Sequence, residues 1–453
     1  MKLEKFYPTL FKTAVPIILQ NLMQTFVNML DTIMIGQLGS NEIAAVGLGN
    51  QVFFMLNMIL FGISSGGSIF IAQYFGRKNV EGIRRSSGIM LVFSAAAALV
   101  FSAGAVFFPS ALMRFYSSDA SVIALGEKYL RIAGFSYILI ALSFPFQLAF
   151  RSTNHVILPT LATAVALVMN ISLNWLLIFG FSFSFCGISI SVNAMGVQGA
   201  ALATVISRLA EFVILVTASY RRKYEPCGTF RELFSFSKSS LAGFLKVAFP
   251  VMINEALWGF GITLQNSVFS HAGTDIIAAF NITGTISQLT WVFFIGVGNA
   301  AGIILGHKIG EGNQPLAKSY AKRFAWFMPL TAVFIGAFLF PLSRLLPFFF
   351  KVEPGIIHLA QQMLFVLMCF YPVNAFNMFF IVGMCRAGGD TIYAAVNDIG
   401  WMYLVALPLA CVAAFVFKMP GWVIYIAANT EQVLKAGSGI VRLLNGKWCK
   451  SVT

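Results

Sequence analysis

Apolar residues form long uninterrupted runs along this chain, and short polar stretches separate one run from the next. Because roughly 20 mostly apolar residues suffice to cross a bilayer, each run can form a membrane-spanning helix. The runs are continuous rather than alternating, which argues against a β-barrel. The pattern predicts an all-α polytopic membrane protein with twelve transmembrane helices, approximately at residues 10–36, 43–75, 86–108, 125–150, 156–180, 196–220, 242–270, 276–308, 318–345, 356–385, 392–417 and 420–444.

The two halves of the chain repeat each other at a constant offset of 234 residues. The offset aligns identical residues, among them Lys12 with Lys246, Pro16 with Pro250, Gly76 with Gly310 and Asn79 with Asn313. Six predicted helices lie on each side of the polar centre, so both halves cross the membrane in the same sense. Such a parallel repeat predicts two six-helix bundles that work by alternating access. We assign residues 1–220 to an amino-terminal lobe, 221–241 to a cytoplasmic linker and 242–453 to a carboxy-terminal lobe.

Composition and charge support a membrane protein, because 58% of the 453 residues are hydrophobic and only 10% are charged. The net charge of +14 reflects topology rather than nucleic-acid binding, since 23 of the 30 basic residues fall on the predicted cytoplasmic side. This bias predicts a multi-pass protein of the plasma (inner) membrane with both termini in the cytoplasm. The six cysteines have no paired spacing, so we expect free thiols, and we expect a monomer.

The first predicted helix is unusually polar for a membrane span. It carries Gln20, Asn21, Gln24, Asn28 and Asp31, which lie on or beside one helix face at about 100° per residue. A carboxylate at that depth costs at least about 2.5 kcal/mol unless it meets water, a polar partner or a bound cation. Asp31 is therefore either a cation-coupling residue or a hydrogen-bonding partner of a neighbouring helix, and the first role is the working prediction.

Further polar residues inside predicted spans could complete a site with Asp31. In the first lobe, Asn170 and Asn174 lie one turn apart on the fifth span, and Thr204 lies on the sixth. One carboxylate and several neutral oxygens could hold a dehydrated Na⁺ or tune the proton affinity of the acid.

The second lobe offers polar and aromatic residues that could bind substrate together with Gln24 and Asn28. Glu255 lies five residues after Pro250, and an acid there could attract a cationic ligand while aromatic faces stack on it. Pro16 and Pro250 are predicted hinges, because each removes a backbone hydrogen bond from its helix. The predicted substrate residues of this lobe are Glu255, Trp258, Asn266, Tyr371 and Asn374.

The chain resembles the multidrug and toxic compound extrusion (MATE) family over nearly its whole length. The resemblance is carried by the six-plus-six repeat, by Pro16 fifteen residues before Asp31, and by LDTIMIGQLG, NxxLNWxLIFG, GxxGAALAT and NGKW. It implies export of an organic, often cationic compound in exchange for Na⁺ or H⁺. It also implies an amino-lobe cation site at Asp31, Asn170, Asn174 and Thr204, with Asn174 where some members have aspartate.

The same resemblance bears on the carboxy-terminal lobe. In one branch of the family a glutamate, a tyrosine and an aspartate form a second cation site there. Glu255 and Tyr371 match the first two, but Ala375 stands at the aspartate's position. A complete second Na⁺ site of that type is therefore not expected.

Two other functions remain open from the sequence. A flippase of a lipid-linked precursor would share the fold group, but it should line its cleft with Arg and Lys, whereas the charges expected inside the membrane here are mainly acidic. An intramembrane enzyme would need clustered catalytic carboxylates, a metal motif or a sizeable outer loop. The chain has no ATP-binding glycine loop, so an ion gradient should supply the energy, and no cofactor is expected.

Overall fold

The computed structural model describes residues 6–185, 188–349 and 352–453. Its architecture is set by twelve long helices. Their bounds are α1 Phe6–Gly36, α2 Ser40–Gly76, α3 Val80–Phe107, α4 Ala120–Ser152, α5 Ile157–Phe179, α6 Val197–Arg221, α7 Lys238–Ala272, α8 Thr274–Gly310, α9 Gln314–Leu342, α10 Pro354–Cys385, α11 Thr391–Val416 and α12 Gly421–Asn445.

These helices confirm the twelve predicted spans. Ten of the helices in the described ranges are long and apolar enough to cross a membrane by length and composition. The other two, α1 and α12, each carry six amide or charged side chains, in 31 and 25 residues respectively. Their polarity is the same feature that marked Asp31 in the sequence.

A short β-hairpin joins α5 to α6. Strand β1 (Phe181–Phe185) pairs antiparallel with β2 (Ile188–Val192), and Phe181 faces Val192 in the register. The sequence analysis treated this stretch as a connection, although FSFSF and ISISV alternate with the period of a strand. Cys186 lies outside the described residues, and five cysteines within them are free thiols.

Helices α10 and α11 depart from regular α geometry. The end of α10 is a π-helix at Phe379–Cys385, and α11 contains two π-helical stretches, Met402–Ala406 and Val412–Val416. Pro408 lies between those two stretches and removes one backbone donor from the helix. Such π-segments widen the helix locally and occur often at functional positions.

The chain forms two compact units. The amino-terminal unit contains Leu19–Ile71 and Val80–Phe244, and the carboxy-terminal unit contains the chain up to Ile18, Ala72–Asn79 and Leu245–Thr453. Helix α1 is therefore shared between the units, with the boundary two residues after Pro16. The lobe boundaries drawn from the sequence remain a prediction.

Inside the carboxy-terminal unit, the ends of α2 and α8 cross with almost no space between their backbones. A Cβ atom on Gly76 would lie 2.2 Å from the His307 carbonyl oxygen, and one on Gly310 would lie 2.0 Å from the Gln73 carbonyl oxygen. The 234-residue offset relates Gln73 to His307 and Gly76 to Gly310, so the contact is symmetric in the repeat. Glycine is required here because only it lets two helix backbones approach so closely.

Candidate ion-coupling site

The carboxylate of Asp31 lies at the centre of a polar cluster in the amino-terminal unit. Asn174 donates a hydrogen bond from Nδ2 to Asp31 Oδ1 and a second to Asn170 Oδ1, at 3.1 Å. Asn170 in turn donates to the hydroxyl of Ser207 on α6, at 3.4 Å. The one-turn spacing on α5 puts both asparagines on one buried face, as the sequence indicated. Asp31, Asn170 and Asn174 therefore meet.

One oxygen in this cluster has no partner. Asn174 is fully buried, and within the described residues its Oδ1 accepts no hydrogen bond. An unsatisfied buried acceptor costs about 1–3 kcal/mol, so a bound donor or cation would stabilise it. Carboxylate and amide oxygens are the ligands that hard cations prefer. The donor set therefore fits Na⁺, and the same carboxylate can carry a proton.

Thr204 lies on the helix that faces this cluster. Its hydroxyl donates to the Ala200 carbonyl oxygen of its own helix, at 3.0 Å, and its carbonyl oxygen accepts from Ser207. Thr204 is thus connected to Asn170 through Ser207 rather than through its hydroxyl. Its role as a cation ligand stays a prediction.

A second group of hydrogen-bonded polar residues lies around Gln20 of α1 and was not predicted. Gln20 donates from Nε2 to Gln147 Oε1 (2.9 Å) and to Thr163 Oγ1 (3.0 Å). Both Gln147 and Thr163 donate to Oε1 of Glu211, at 3.2 and 2.8 Å. Arg151 caps the group, because its guanidinium donates twice to Gln20 Oε1, at 2.6 and 3.1 Å. Polar residues of α1, α4, α5 and α6 are thereby joined in one network.

Gln24 and Asn28 extend this network along α1 towards Asp31. Arg208 forms an ion pair with Glu211 at 2.8 Å and donates to Gln24 Oε1 at 3.1 Å. Gln24 donates in turn to Asn28 Oδ1 at 3.4 Å. Glu211 is therefore paired with a base on its own helix. In the described residues Asp31 forms no ion pair, and this makes it the acid most available to a coupling ion.

The predicted substrate residues of the carboxy-terminal unit do not form one cluster. Glu255 is buried and paired with Arg386, so its charge is neutralised by a base that the sequence analysis had counted on the cytoplasmic side. Tyr371 accepts a hydrogen bond from Thr290 at 2.9 Å, and Asn374 is buried with an unpaired Oδ1. Trp258 is half-buried and Asn266 is exposed.

The two buried arginines are equivalent in the repeat. An offset of 235 residues relates Arg151 to Arg386, and each pairs with a polar residue of the first helix of its half, Gln20 and Glu255. In both halves the partners are 131 residues apart. The internal repeat therefore contained a signal for these pairs. The sequence analysis missed it because it counted both arginines only as basic residues of the cytoplasmic side.

The helices, the internal repeat and the intramembrane polar network are those of a polytopic membrane protein built from two related halves. The MatE family model matches residues 16–176 and 250–412, one segment in each half, and the chain belongs to this family. Since the relatives are transporters, the chain is a transporter rather than an enzyme.

Relatives with assigned names cover almost the whole chain. It is 26% identical to the probable multidrug resistance protein YoeA of Bacillus subtilis, across 93% of this chain and 90% of that protein. It is 24% identical to the probable multidrug resistance protein NorM of Thermotoga maritima, across 97% and 93%. Both of these probable multidrug resistance proteins therefore match the chain over almost its whole length.

Solved structures show the same fold. A crystal structure of a MATE protein in the straight conformation superposes with a TM-score of 0.86 at 20% identity, across 97% of this chain and 96% of the other. The MATE transporter VcmN of Vibrio cholerae also gives 0.86, at 16% identity and across 99% and 98%. At these identities the comparison establishes the twelve-helix fold in two bundles.

Proposed function

We propose that the protein is a secondary active antiporter that exports organic, mostly cationic compounds in exchange for H⁺ or Na⁺ by alternating access. It works in the plasma (inner) membrane as a monomer with both termini in the cytoplasm, and it needs no cofactor. The observation that carries the proposal is the carboxylate of Asp31, which accepts a hydrogen bond from Asn174 while Asn174 keeps one buried oxygen unpaired.

The coupling step in this proposal is a change of charge on α1. An empty Asp31 carries a negative charge that only neutral partners contact within the described residues, whereas a proton or Na⁺ removes it. Asn170, Asn174 and Thr204 complete the proposed cation site. Because α1 passes from one compact unit to the other just after Pro16, a change at Asp31 is mechanically connected to the unit boundary. Pro16 and its repeat partner Pro250 are the proposed hinges.

Substrate binding belongs to the other polar residues in the proposal. Gln24 and Asn28 lie along α1 beside Asp31, while Tyr371 and Asn374 offer a hydroxyl and an unpaired amide oxygen in the carboxy-terminal unit. Trp258 presents an aromatic face of the type that attracts organic cations. Glu255 and Asn266 complete the proposed set. The names of the relatives as multidrug resistance proteins support an organic substrate.

The decisive variant is Asp31→Asn, which removes the charge and keeps the size. In liposomes with equal amounts of protein, we expect export of the fluorescent organic cation ethidium to lose its dependence on an imposed H⁺ or Na⁺ gradient. Dye binding to the purified variant should persist, because coupling and binding are separate events. The two gradients are imposed separately, so the result also identifies the coupling ion.

Asp275→Asn is the matched control, since Asp275 undergoes the same chemical change at an exposed position in the first turn of α8. This control should transport normally. Gradient-driven export by Asp31→Asn at the wild-type rate would show that Asp31 only packs against α5, and the proposed coupling site would be wrong.

A further inference from the structure

A second group of buried charges lies in the carboxy-terminal unit, and the proposed coupling site does not include it. Lys435 of α12 is 1% exposed and forms ion pairs with two acids. Its Nζ lies 2.7 Å from Asp398 Oδ1 on α11 and 3.1 Å from Glu431 Oε1, one turn earlier on its own helix. Two carboxylates therefore share one ammonium.

The surrounding charges do not balance the group. The nearest further pair is Glu255 of α7 with Arg386 at the end of α10, which is neutral as a whole. Among the ion pairs that touch the group, Asp398 and Glu431 are met by Lys435 alone, while Glu255 and Arg386 neutralise each other. One negative charge is left without a counter-charge in a buried position, where an unpaired charge takes up a proton or a cation instead.

The hydrogen bonds identify the atom that carries the surplus. Both oxygens of Asp398 have donors, Lys435 on Oδ1 and Asn254 on Oδ2 at 3.1 Å. Oε1 of Glu431 accepts from Lys435 and, at 3.0 Å, from Gln432, but Oε2 has no partner among the described residues. Glu431 is 4% exposed, so this oxygen is shielded from bulk solvent.

An independent observation points to a missing ligand at the same place. Asn254 is also 4% exposed, and its amide is fixed in the group by its hydrogen bond to Asp398. Its own Oδ1 accepts nothing within the described residues. Two buried oxygens without donors and one uncompensated negative charge thus occur in a single cluster.

We propose that Glu431, Asp398 and Lys435 form a second proton-binding site, in which one exchangeable proton occupies Oε2 of Glu431. With the proton bound, Lys435 balances the single charged carboxylate of Asp398 and the group is neutral. When the group is open to water the proton leaves to a water molecule, and a proton binds again from water before the group closes. Whether this proton is coupled to export rests on the antiport proposed above. The binding of the proton to Glu431 does not rest on it. In the amino-terminal network Glu211 pairs with Arg208, and no two carboxylates share one base there among the described residues.

The test is infrared difference spectroscopy on the full-length protein in liposomes. Spectra are recorded between acidic and alkaline buffer, with choline as the other cation and with or without added NaCl. We expect a protonated-carboxyl band that grows in acid, is lost in Glu431→Gln and moves in Glu431→Asp, which keeps an acid at the position. Glu431→Gln keeps the size of the side chain and leaves the Asp398–Lys435 pair in place, so this variant should fold. If Glu431→Gln does not fold, the shifted band of Glu431→Asp tests the site independently.

Two results would overturn the proposal. One is an unchanged difference spectrum in Glu431→Gln or an unshifted band in Glu431→Asp. The other is a band that responds to NaCl and not to pH, which would assign the site to Na⁺.

The Asp31→Asn variant separates this proposal from the antiport proposal. The Glu431 band should persist in Asp31→Asn, because the two sites lie in different units. If Asp31→Asn exported normally while the band remained, the coupling role of Asp31 would fail and the proton site would stand. A band that disappeared with Asp31→Asn would belong to Asp31 and would remove the second site.

Discussion

The pair between Glu255 and Arg386 allows a quantitative prediction, because both side chains are nearly dehydrated. Arg386 is 5% exposed and Glu255 12% exposed at the side-chain level. Glu255→Gln would remove the carboxylate that is paired with the buried guanidinium, and removing one partner of a buried pair costs about 3–5 kcal/mol. Glutamine can still accept one hydrogen bond from Arg386, so we expect a loss at the lower end, about 3 kcal/mol.

The double variant Glu255→Gln with Arg386→Gln should be less destabilised than the sum of the two single variants. It buries no charge, and two neutral amides can bond each other. The measurement is the thermal unfolding midpoint of purified protein in detergent for the wild type, both single variants and the double variant. Membrane proteins often unfold irreversibly, so all four are heated at one scan rate.

Additive shifts in this cycle would refute the reasoning, since independent sites add and coupled ones do not. The result also decides how Glu255 acts in transport. If Glu255→Gln lowers the midpoint and export together, the residue serves the fold. An unchanged midpoint with a narrower range of exported cations would contradict the pairing argument and support direct contact with substrate.

Two further predictions concern packing and topology. Gly310→Ala should sharply reduce the yield of folded protein in size-exclusion chromatography, because the new Cβ would collide with the Gln73 carbonyl oxygen, whereas Gly284→Ala, with nothing within 4 Å, should behave like the wild type. Ser237→Cys should stay unlabelled by an impermeant thiol reagent added outside intact cells and become labelled after permeabilisation; labelling from outside would overturn the cytoplasmic assignment of the central segment.

The helices could be predicted because the thickness of the bilayer sets a minimum length for every membrane-spanning helix. The internal repeat supports each prediction a second time, since every helix of the first half has an equivalent in the second. The meeting of Asp31 with Asn174 and Asn170 was also accessible. A costly acid on one helix and two amides on one face of another leave few alternative pairings.

The buried bases could not be found in the same way. Arg151 and Arg386 stand one residue beyond predicted helix ends, where long side chains ordinarily reach water. Lys435 lies towards the cytoplasmic end of its span, and the positive-inside rule counts all three as solvated. Burial of their charged ends involves partners distant in the chain, such as Asp398 for Lys435, in addition to the i,i+4 pair of Lys435 with Glu431. Periodicity carries no information about such partners, and only the repeat hinted at the arginine pairs.

The reciprocal crossing of Gly76 and Gly310 has a consequence for the origin of the chain. Gly76 meets the carbonyl oxygen of His307, and Gly310 meets that of Gln73. The repeat relates Gly76 to Gly310 and Gln73 to His307, so the same two positions meet in both directions. That is the arrangement of an isologous interface between two identical subunits related by a two-fold axis. A half-length ancestor that dimerised through this crossing would become the present chain by gene duplication and fusion, without any change in the contact itself.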